Sequence, residues 1–355
     1  MDRLGRISQT LHEIAKTLGA VSSGIVRKEA LAGGPPSSDL SYVLPEARSA
    51  FCFALALDQK KIEAFLRKED RYAHDQDNVR TNVVASGIAL EISNYLKMKG
   101  YRSVPVGSNL EYRFDTPNGP LDEKPPISHR YLAVRAGLGW FGRSGNVISP
   151  EYGAGIILGS LVTEAELTPT EPLPEEENYC DECKLCHTGC LSGYLDPNET
   201  VSISLGDRTF THSKKRHHSR CDYVCGGFTG LHPSGRWSTW SPGRFPIPEK
   251  DEDFFNALLE SAQSYKRRPK AKGGFYHFLM PGNRVWLTCC NCALLCVPDR
   301  EERNRRFKAL RNSGVVIQEA DGTLKAVTPE EAMDRLKAMS PEERSIYEPV
   351  KTIES

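Results

Sequence analysis

The chain has 355 residues, 39% of them hydrophobic and 26% charged, enough for a sizeable core and two domains. Lys plus Arg equals Asp plus Glu at 46 each, so no global charge points to a nucleic-acid or membrane partner. No apolar run is long enough to cross a membrane, and the start, Met1-Asp2-Arg3-Leu4-Gly5-Arg6, has neither an apolar signal core nor a twin-arginine pair; a cytoplasmic location is expected.

Residues 1–165 read as alternating helices and strands, which predicts an α/β domain. A helix is expected over 8–18 with Ser8 as N-cap. The apolar run 49–57 suits a buried strand. Val84, Ile88, Ile92 and Leu96 recur every four residues and predict a helix over 78–99 that stops at Gly100. A strand over 102–106, a short helix over 129–136 and a buried strand over 155–163 follow. The Pro- and Glu-rich stretch 166–178 reads as a linker, and 179–300 as a cysteine domain interrupted by an insertion at about 196–284. Residues 301–355 are charged and helical in pattern, with a helix start at Thr328-Pro329.

Ten of the 11 cysteines lie between Cys180 and Cys296. In a reducing compartment such clustering favours metal ligands over disulfides. The first run is Cys180-x2-Cys183-x2-Cys186-x3-Cys190, and the second is Cys289-x2-Cys292-x3-Cys296. This spacing matches two [4Fe–4S] clusters with exchanged fourth ligands, each fourth cysteine starting a helix that faces the other cluster. One cluster would take Cys180, Cys183, Cys186 and Cys296. The other would take Cys190, Cys289, Cys292 and either Cys221 or Cys225, with Cys221 preferred. Cys52, in a buried strand, and Cys290, at the wrong spacing, are left as non-ligands. Zinc is the competing reading, but four cysteines within 11 residues suit a zinc tetrahedron poorly.

The block Ala136-Gly137-Leu138-Gly139-Trp140-Phe141-Gly142, the turn Pro150-Glu151-Tyr152-Gly153, the strand after it and the two cysteine runs resemble epoxyqueuosine reductases and, more distantly, corrinoid-dependent reductive dehalogenases. The resemblance covers roughly 45–190 and 285–298. It implies a nitroreductase-like sheet with flanking helices that holds base-off cobalamin, joined to a two-cluster ferredoxin-like domain. It further implies a reductase fed by a low-potential donor such as ferredoxin or flavodoxin. The Gly-rich block has two readings. Gly139 and Gly142 would let a bulky ligand approach, with Trp140 and Phe141 against its flat face and Arg143 and Asn146 at its polar edge. Otherwise the block is a turn on the sheet with its aromatics in the core.

The family places an Asp three residues before the Pro of a Pro-Ile segment as proton donor. Counting back from Pro126-Ile127 puts Glu123 there, beside Asp122, with Tyr112 and His129 as further candidates and two solvated carboxylates as the plain alternative. This departure leaves the substrate open between epoxyqueuosine in tRNA and a small organic molecule. The basic run 214–220 and the stretch Lys266-Arg267-Arg268-Pro269-Lys270, with Trp237 and Trp240 between them, suit an anion-binding surface or, more simply, a solvated loop over the second cluster. The chain reads as a divergent member of the family without a helical-repeat tail. The rival function is a non-catalytic iron–sulfur electron carrier or a corrinoid-protein activator.

Overall fold

The computed structural model describes residues 2–108, 111–276 and 284–349. Helix α1 (Arg3–Thr17) starts earlier than expected, because the Asp2 carboxylate accepts from Gly5 N at 2.7 Å and so takes the N-cap role. Ser8 lies inside the helix and donates back to Leu4 O. Strand β1 (Ser22–Arg27), unforeseen in the sequence, pairs with β2 (Ser49–Ala56). Helices α2 (Gln59–Leu66) and α3 (Tyr72–Met98) follow, then strand β3 (Ser103–Val106) and helix α4 (His129–Arg135). The ribbon β4 (Trp140–Phe141) with β5 (Val147–Ile148) leads into β6 (Ile156–Thr163).

The sheet order is β1-β2-β6-β3, antiparallel at every step. The domain is thus mixed α/β with an antiparallel sheet. Strand β2 shows why its sequence is continuously apolar: Phe51, Phe53 and Leu55 point to α1 and α3, while Ala50, Cys52 and Ala54 point to α4. Burial on both faces removes the polar alternation that a one-sided strand would show.

Residues 166–178 are fastened down and do not form a free linker. Thr170 N donates to Ile25 O at 2.9 Å, and the Trp140 indole donates to Pro174 O at 2.8 Å. Beyond them, helix α5 (Leu185–Thr188) lies within the first cysteine run. A hairpin of β7 (Leu195–Leu205) and β8 (Arg208–Lys215) sends Ile203 and Leu205 into the α4 side of the N-terminal core. Helix α6 (Ser219–Cys225), helix α7 (Phe254–Arg267) and the ladder of β9 (Phe275–Tyr276) with β10 (Arg284–Val285) complete the inserted region. Trp237 and Trp240 are core residues, each 2% exposed, and the Trp240 indole donates to Phe65 O on α2 at 2.9 Å. One apolar cluster therefore contains Phe65 and Ile88 together with Trp240, Cys289 and Leu294.

Helix α8 (Asn291–Leu294) lies within the second cysteine run, and α9 (Arg300–Arg311) follows it. The C-terminal part also contains an unforeseen hairpin, β11 (Val315–Gln318) with β12 (Leu324–Val327). The expected helix start holds: Thr328 caps α10 (Pro329–Ala338) through Glu331 N. The expected tail residues 350–355 lie outside the described residues. Among the described residues no helix is long and apolar enough to cross a membrane.

Candidate functional site

Cys180, Cys183, Cys186 and Cys296 line one small void between α5, the end of α8 and Arg143. Their proximity appears in the Cys296 thiol, which is pushed up to about 12 by burial and then by Cys180, Cys186 and Cys183. The chain wraps this void by placing Glu182 (φ 53°) and Lys184 (φ 58°) in the left-handed region, at about 1–2 kcal/mol per residue. Arg143 N donates to Cys180 Sγ at 3.2 Å. The turn before β6 buttresses Cys296: Gly153, at φ 60°, lets the chain pass so close that a Cβ there would lie 2.0 Å from Cys296 O.

The second site gathers Cys190, Cys221, Cys289 and Cys292. The Cys292 thiol is raised by burial and then by Cys190, Cys221, Cys289 and Cys290. Cys225 also lies here, its Sγ 3.4 Å from Cys221 Sγ. In each run the short helix carries the last cysteine but one, Cys186 on α5 and Cys292 on α8, and the final cysteine follows its end rather than starting a helix: Cys190 N donates to His187 O and Cys296 N to Ala293 O. Strand β7, not a helix, follows Cys190. Cys52 is remote, 0% exposed between sheet and α4.

The Gly-rich block is packed close to the first cysteine site. Trp140 and Phe141 are buried against Tyr179 and against Tyr131, Phe210 and His212. A Cβ on Gly139 would lie 2.4 Å from Ile148 O, and one on Gly142 would press on the Ile148 side chain at 3.1 Å. These glycines let β4 and β5 pack, and Gly139, Trp140, Phe141 and Gly142 are not among the residues that line the main cavity. Arg143 turns to the first cysteine site and pairs with Glu182 at 3.0 Å. Asn146 alone of the six lines the main cavity, with Nδ2 3.9 Å from Cys292 Sγ.

That cavity has a volume of about 810 Å³ and separates the end of the sheet from the second cysteine site. Ile156 and Leu158 of β6 line it together with Tyr194, His218, Cys290 and Leu294. Its size is that of a cofactor or ligand pocket. Polar atoms without partners among the described residues point to what it would bind. His74, on α3, is 0% exposed with both ring nitrogens unpartnered, and burial lowers it to about 4, so it is a neutral imidazole at neutral pH.

Glu123 lies on the cavity wall at φ 46°. It hydrogen-bonds Asp222 of α6, and burial, followed by the Asp222 charge, raises its carboxyl far above the usual range. Asp222 is likewise raised by burial. Glu123 Oε1 and Asp222 Oδ2 have no further partner. His218 is close enough that one ligating atom from each of the three lies within 4.8 Å of the others. Tyr112 stands beside both acids, its phenol raised by burial and by their charge. Asp122 differs: Asn118 donates to it from side chain at 2.9 Å and backbone at 3.2 Å, holding the carboxylate ionised. His129 has both ring nitrogens committed, to Ser160 Oγ at 2.8 Å and Gly107 O at 3.0 Å.

Sequence reasoning missed Asp222, His218 and His74, since no spacing rule joins them to Glu123. The basic run divides. Arg216, His217 and His218 line the cavity, whereas Lys214 pairs with Glu199, Arg216 also pairs with Asp196, and Arg220 with Asp251. Arg268 is spent on backbone carbonyls of Gly227, Phe228 and Ile346. These pairings tie Lys214, Arg216, Arg220 and Arg268 to the protein itself.

Two groups of cysteines and a large cavity on a mixed α/β domain make up the candidate site. In sequence the chain is similar to curated proteins named epoxyqueuosine reductase. It is 30% identical over 188 residues to the enzyme of Gloeobacter violaceus, covering 52% of each chain. It is 34% identical over 117 residues to that of Vibrio cholerae, covering 31% of this chain and 29% of the relative. The chain spans about half the length, 52% and 48%, of the Gloeobacter and Synechocystis relatives it matches. No family model matches. Among solved structures, an epoxyqueuosine reductase with an epoxyqueuosine-modified tRNA-Tyr stem loop is 18% identical, with a TM-score of 0.43 over 95% of this chain and 74% of that one. A reductive dehalogenase described with a mechanism for B12-dependent dehalogenation is 16% identical, with a TM-score of 0.49 over 73% of this chain and 34% of that one.

Proposed function

We propose that this protein is a cytoplasmic, cobalamin-dependent iron–sulfur reductase. Cys180, Cys183, Cys186 and Cys296 hold one [4Fe–4S] cluster, and Cys190, Cys221, Cys289 and Cys292 hold the second. Residues 1–165 supply the wall of a base-off cobalamin site, and 179–300 form a ferredoxin-like two-cluster unit. When bound, these groups supply one-electron transfer and a strongly reducing centre at the substrate.

The chain's own residues do the rest. Arg143 N and the Asn146 amide donate to thiolates of the two sites and stabilise their charge. Leu57, Ile156 and Leu158 keep the cavity wall apolar. Glu123 holds a proton at the cavity because burial disfavours its carboxylate, donating it to Asp222 in a hydrogen bond; it delivers that proton to the reduced substrate and takes up another from water before the next turnover. Asp122, kept ionised by Asn118, does not take this role.

The observation that carries the reading is a pair of thiol quartets, one of which backs onto an 810 Å³ cavity containing unpartnered polar atoms. An electron carrier has no need of such a cavity, which favours the enzyme over the rival reading. A soluble low-potential donor such as ferredoxin or flavodoxin would feed the clusters. The substrate is epoxyqueuosine in tRNA or a small organic molecule of the same chemistry.

Anaerobic reconstitution tests this directly. Iron and sulfide analysis should give two clusters per chain, with broad visible absorption, and the protein should retain added cobalamin through gel filtration. Bound zinc without that absorption overturns the cluster assignment. Full clusters without cobalamin retention overturn the enzyme reading.

A further inference from the structure

The Gly145 carbonyl, in the turn between β4 and β5, accepts from two cations at once. Arg130 Nη1 donates to it at 3.0 Å and Lys215 Nζ at 3.3 Å. Both side chains are half-buried, and neither has a carboxylate partner among the described residues. Like charges that share one acceptor raise each other's energy, and burial removes the water that would screen them. Such a pair calls for negative charge nearby. Lys215 has the second cysteine site beside it. Arg130 lines the main cavity, so its counter-charge must come from what the cavity holds.

The other charged groups on the cavity are already engaged. Glu111 Oε1 accepts from Gly107 N at 3.1 Å, Asp122 is held by Asn118, and Glu123 is bonded to Asp222. Arg216 is neutralised by Asp196, whose Oδ2 lies 3.0 Å from both Nε and Nη2. Lys124 is exposed to solvent. Arg130 remains as a cation that the protein does not neutralise. Gly145 O fixes one edge of its guanidinium, and the rest of its donor fork makes no hydrogen bond among the described residues.

We propose that Arg130 binds the phosphodiester of the cobalamin nucleotide tail and so makes the protein select the complete cofactor over corrinoids without that tail. This rests on the reading that the cavity holds base-off cobalamin. The amide arms of the corrin ring are neutral, and the phosphodiester is the one permanent negative charge on the tail. With the base off the cobalt, the tail leaves the ring and its phosphate needs a partner from the protein. A guanidinium presents paired N–H donors to two phosphate oxygens, a match that a lysine ammonium lacks. The phosphate would also relieve the repulsion between Arg130 and Lys215.

Equilibrium dialysis of anaerobically reconstituted protein, with retained cobalt measured by mass spectrometry, tests this without turnover. The probes are cobalamin, cobinamide, which lacks the whole tail, and cobinamide phosphate, which restores the phosphate alone. Displacing the base from cobalt weakens cobalamin binding by the same factor in wild type and variant, so the comparison is made for each corrinoid between the two proteins. Arg130→Gln should weaken cobalamin and cobinamide phosphate about tenfold or more, the worth of one charge-assisted hydrogen bond, and leave cobinamide unchanged. Arg130→Lys, which keeps the charge but not the fork, should lose less; it carries the same comparison if Arg130→Gln fails to hold its iron. Equal weakening of all three corrinoids overturns the proposal, since Arg130 would then only shape the cavity. Weakened cobalamin with unchanged cobinamide phosphate also overturns it, because the base or ribose would be what Arg130 reads. If no corrinoid is affected but an RNA stem loop binds more weakly, the phosphate belongs to the substrate and the assignment to the cofactor fails. Wild-type protein that retains none of the corrinoids sinks the cobalamin reading together with this inference, whereas the other adverse results leave that reading standing.

Discussion

Glu123 and Asp222 face each other across the cavity wall, and each has one oxygen without a partner. Two buried carboxyls in contact cannot both ionise cheaply, so at neutral pH the pair retains a proton. Glu123→Gln keeps the hydrogen bond but removes the transferable proton. Turnover of the reconstituted protein should fall about 100-fold or more, with iron content unchanged, while Asp122→Asn should leave turnover near wild type. The linkage has a definite sign. The folded-state carboxyl is raised above its unfolded value, so its contribution to stability is fully present below the ordinary carboxylate range. That contribution is lost as pH rises through the folded value. Thermal stability of the wild type should therefore fall more steeply than that of Glu123→Gln between mildly acid and alkaline pH. Parallel curves for the two proteins would show that Glu123 ionises freely.

Lys215 poses a second residue-scale problem. Burial and Arg130 push its ammonium well below the usual range, Cys292 and Cys221 oppose that shift, and no carboxylate pairs with it among the described residues. A cluster's negative charge is the natural partner for this cation. Lys215→Met should lower the midpoint potential of the second cluster and leave the first unchanged, measured by redox titration with EPR detection. A shift of about 59 mV marks a tenfold change for a one-electron couple.

At the scale of elements, the turn before β6 and the Gly-rich block hold the cysteine runs against the sheet. Gly153→Ala would place a Cβ 2.0 Å from Cys296 O at φ 60°. Expected are a stability loss of at least about 1–2 kcal/mol in chemical denaturation and a selective loss of iron from the first cluster. An unchanged iron content would mean the turn does not position Cys296. These elements also mark the limit of what the sequence discloses. Strands β2 and β6 are legible because both faces are buried, which leaves uninterrupted apolar runs. Strand β1 is not, because it is six residues long and opens Ser22-Ser23-Gly24, where Gly24 is needed for the close approach of Ala136 O. The cysteine spacing gives two sites, but not which of Cys221 and Cys225 completes the second, since both lie one turn apart on α6. Least legible is the aromatic pair: Trp140 and Phe141 beside glycines suit a ligand face and a packed turn equally, and their contacts with Tyr179 and Phe210 are tertiary. Asp222 was beyond reach, since nothing local ties it to a residue about a hundred positions earlier in the chain.

For the molecule as a whole, the question is whether the sheet and the cysteine region fold as separate units. Composition suggests a boundary at 166–178, yet that stretch hydrogen-bonds β1 and the core crosses it. Asp75 of α3 adds a polar tie, accepting from Gly274 N at 2.8 Å and Leu287 N at 3.1 Å just before the second cysteine run. Trp240 sits at the join, buried against Phe65 with its indole satisfied by the Phe65 carbonyl. Its removal leaves a cavity in the core shared by both regions and takes away one of the two donors to the Phe65 carbonyl, the other being Lys68 N. Trp240→Ala should therefore cost about 3–5 kcal/mol, and it should act on both regions at once. In anaerobic denaturant titrations, far-UV circular dichroism, dominated by the helices around the sheet, and visible absorption, which reads cluster loss, should move to lower midpoints together and stay coincident. If the visible signal shifts alone while the helical signal keeps its wild-type midpoint, the two regions are independent domains, and the path from cysteine site to cavity crosses a flexible joint rather than a common core.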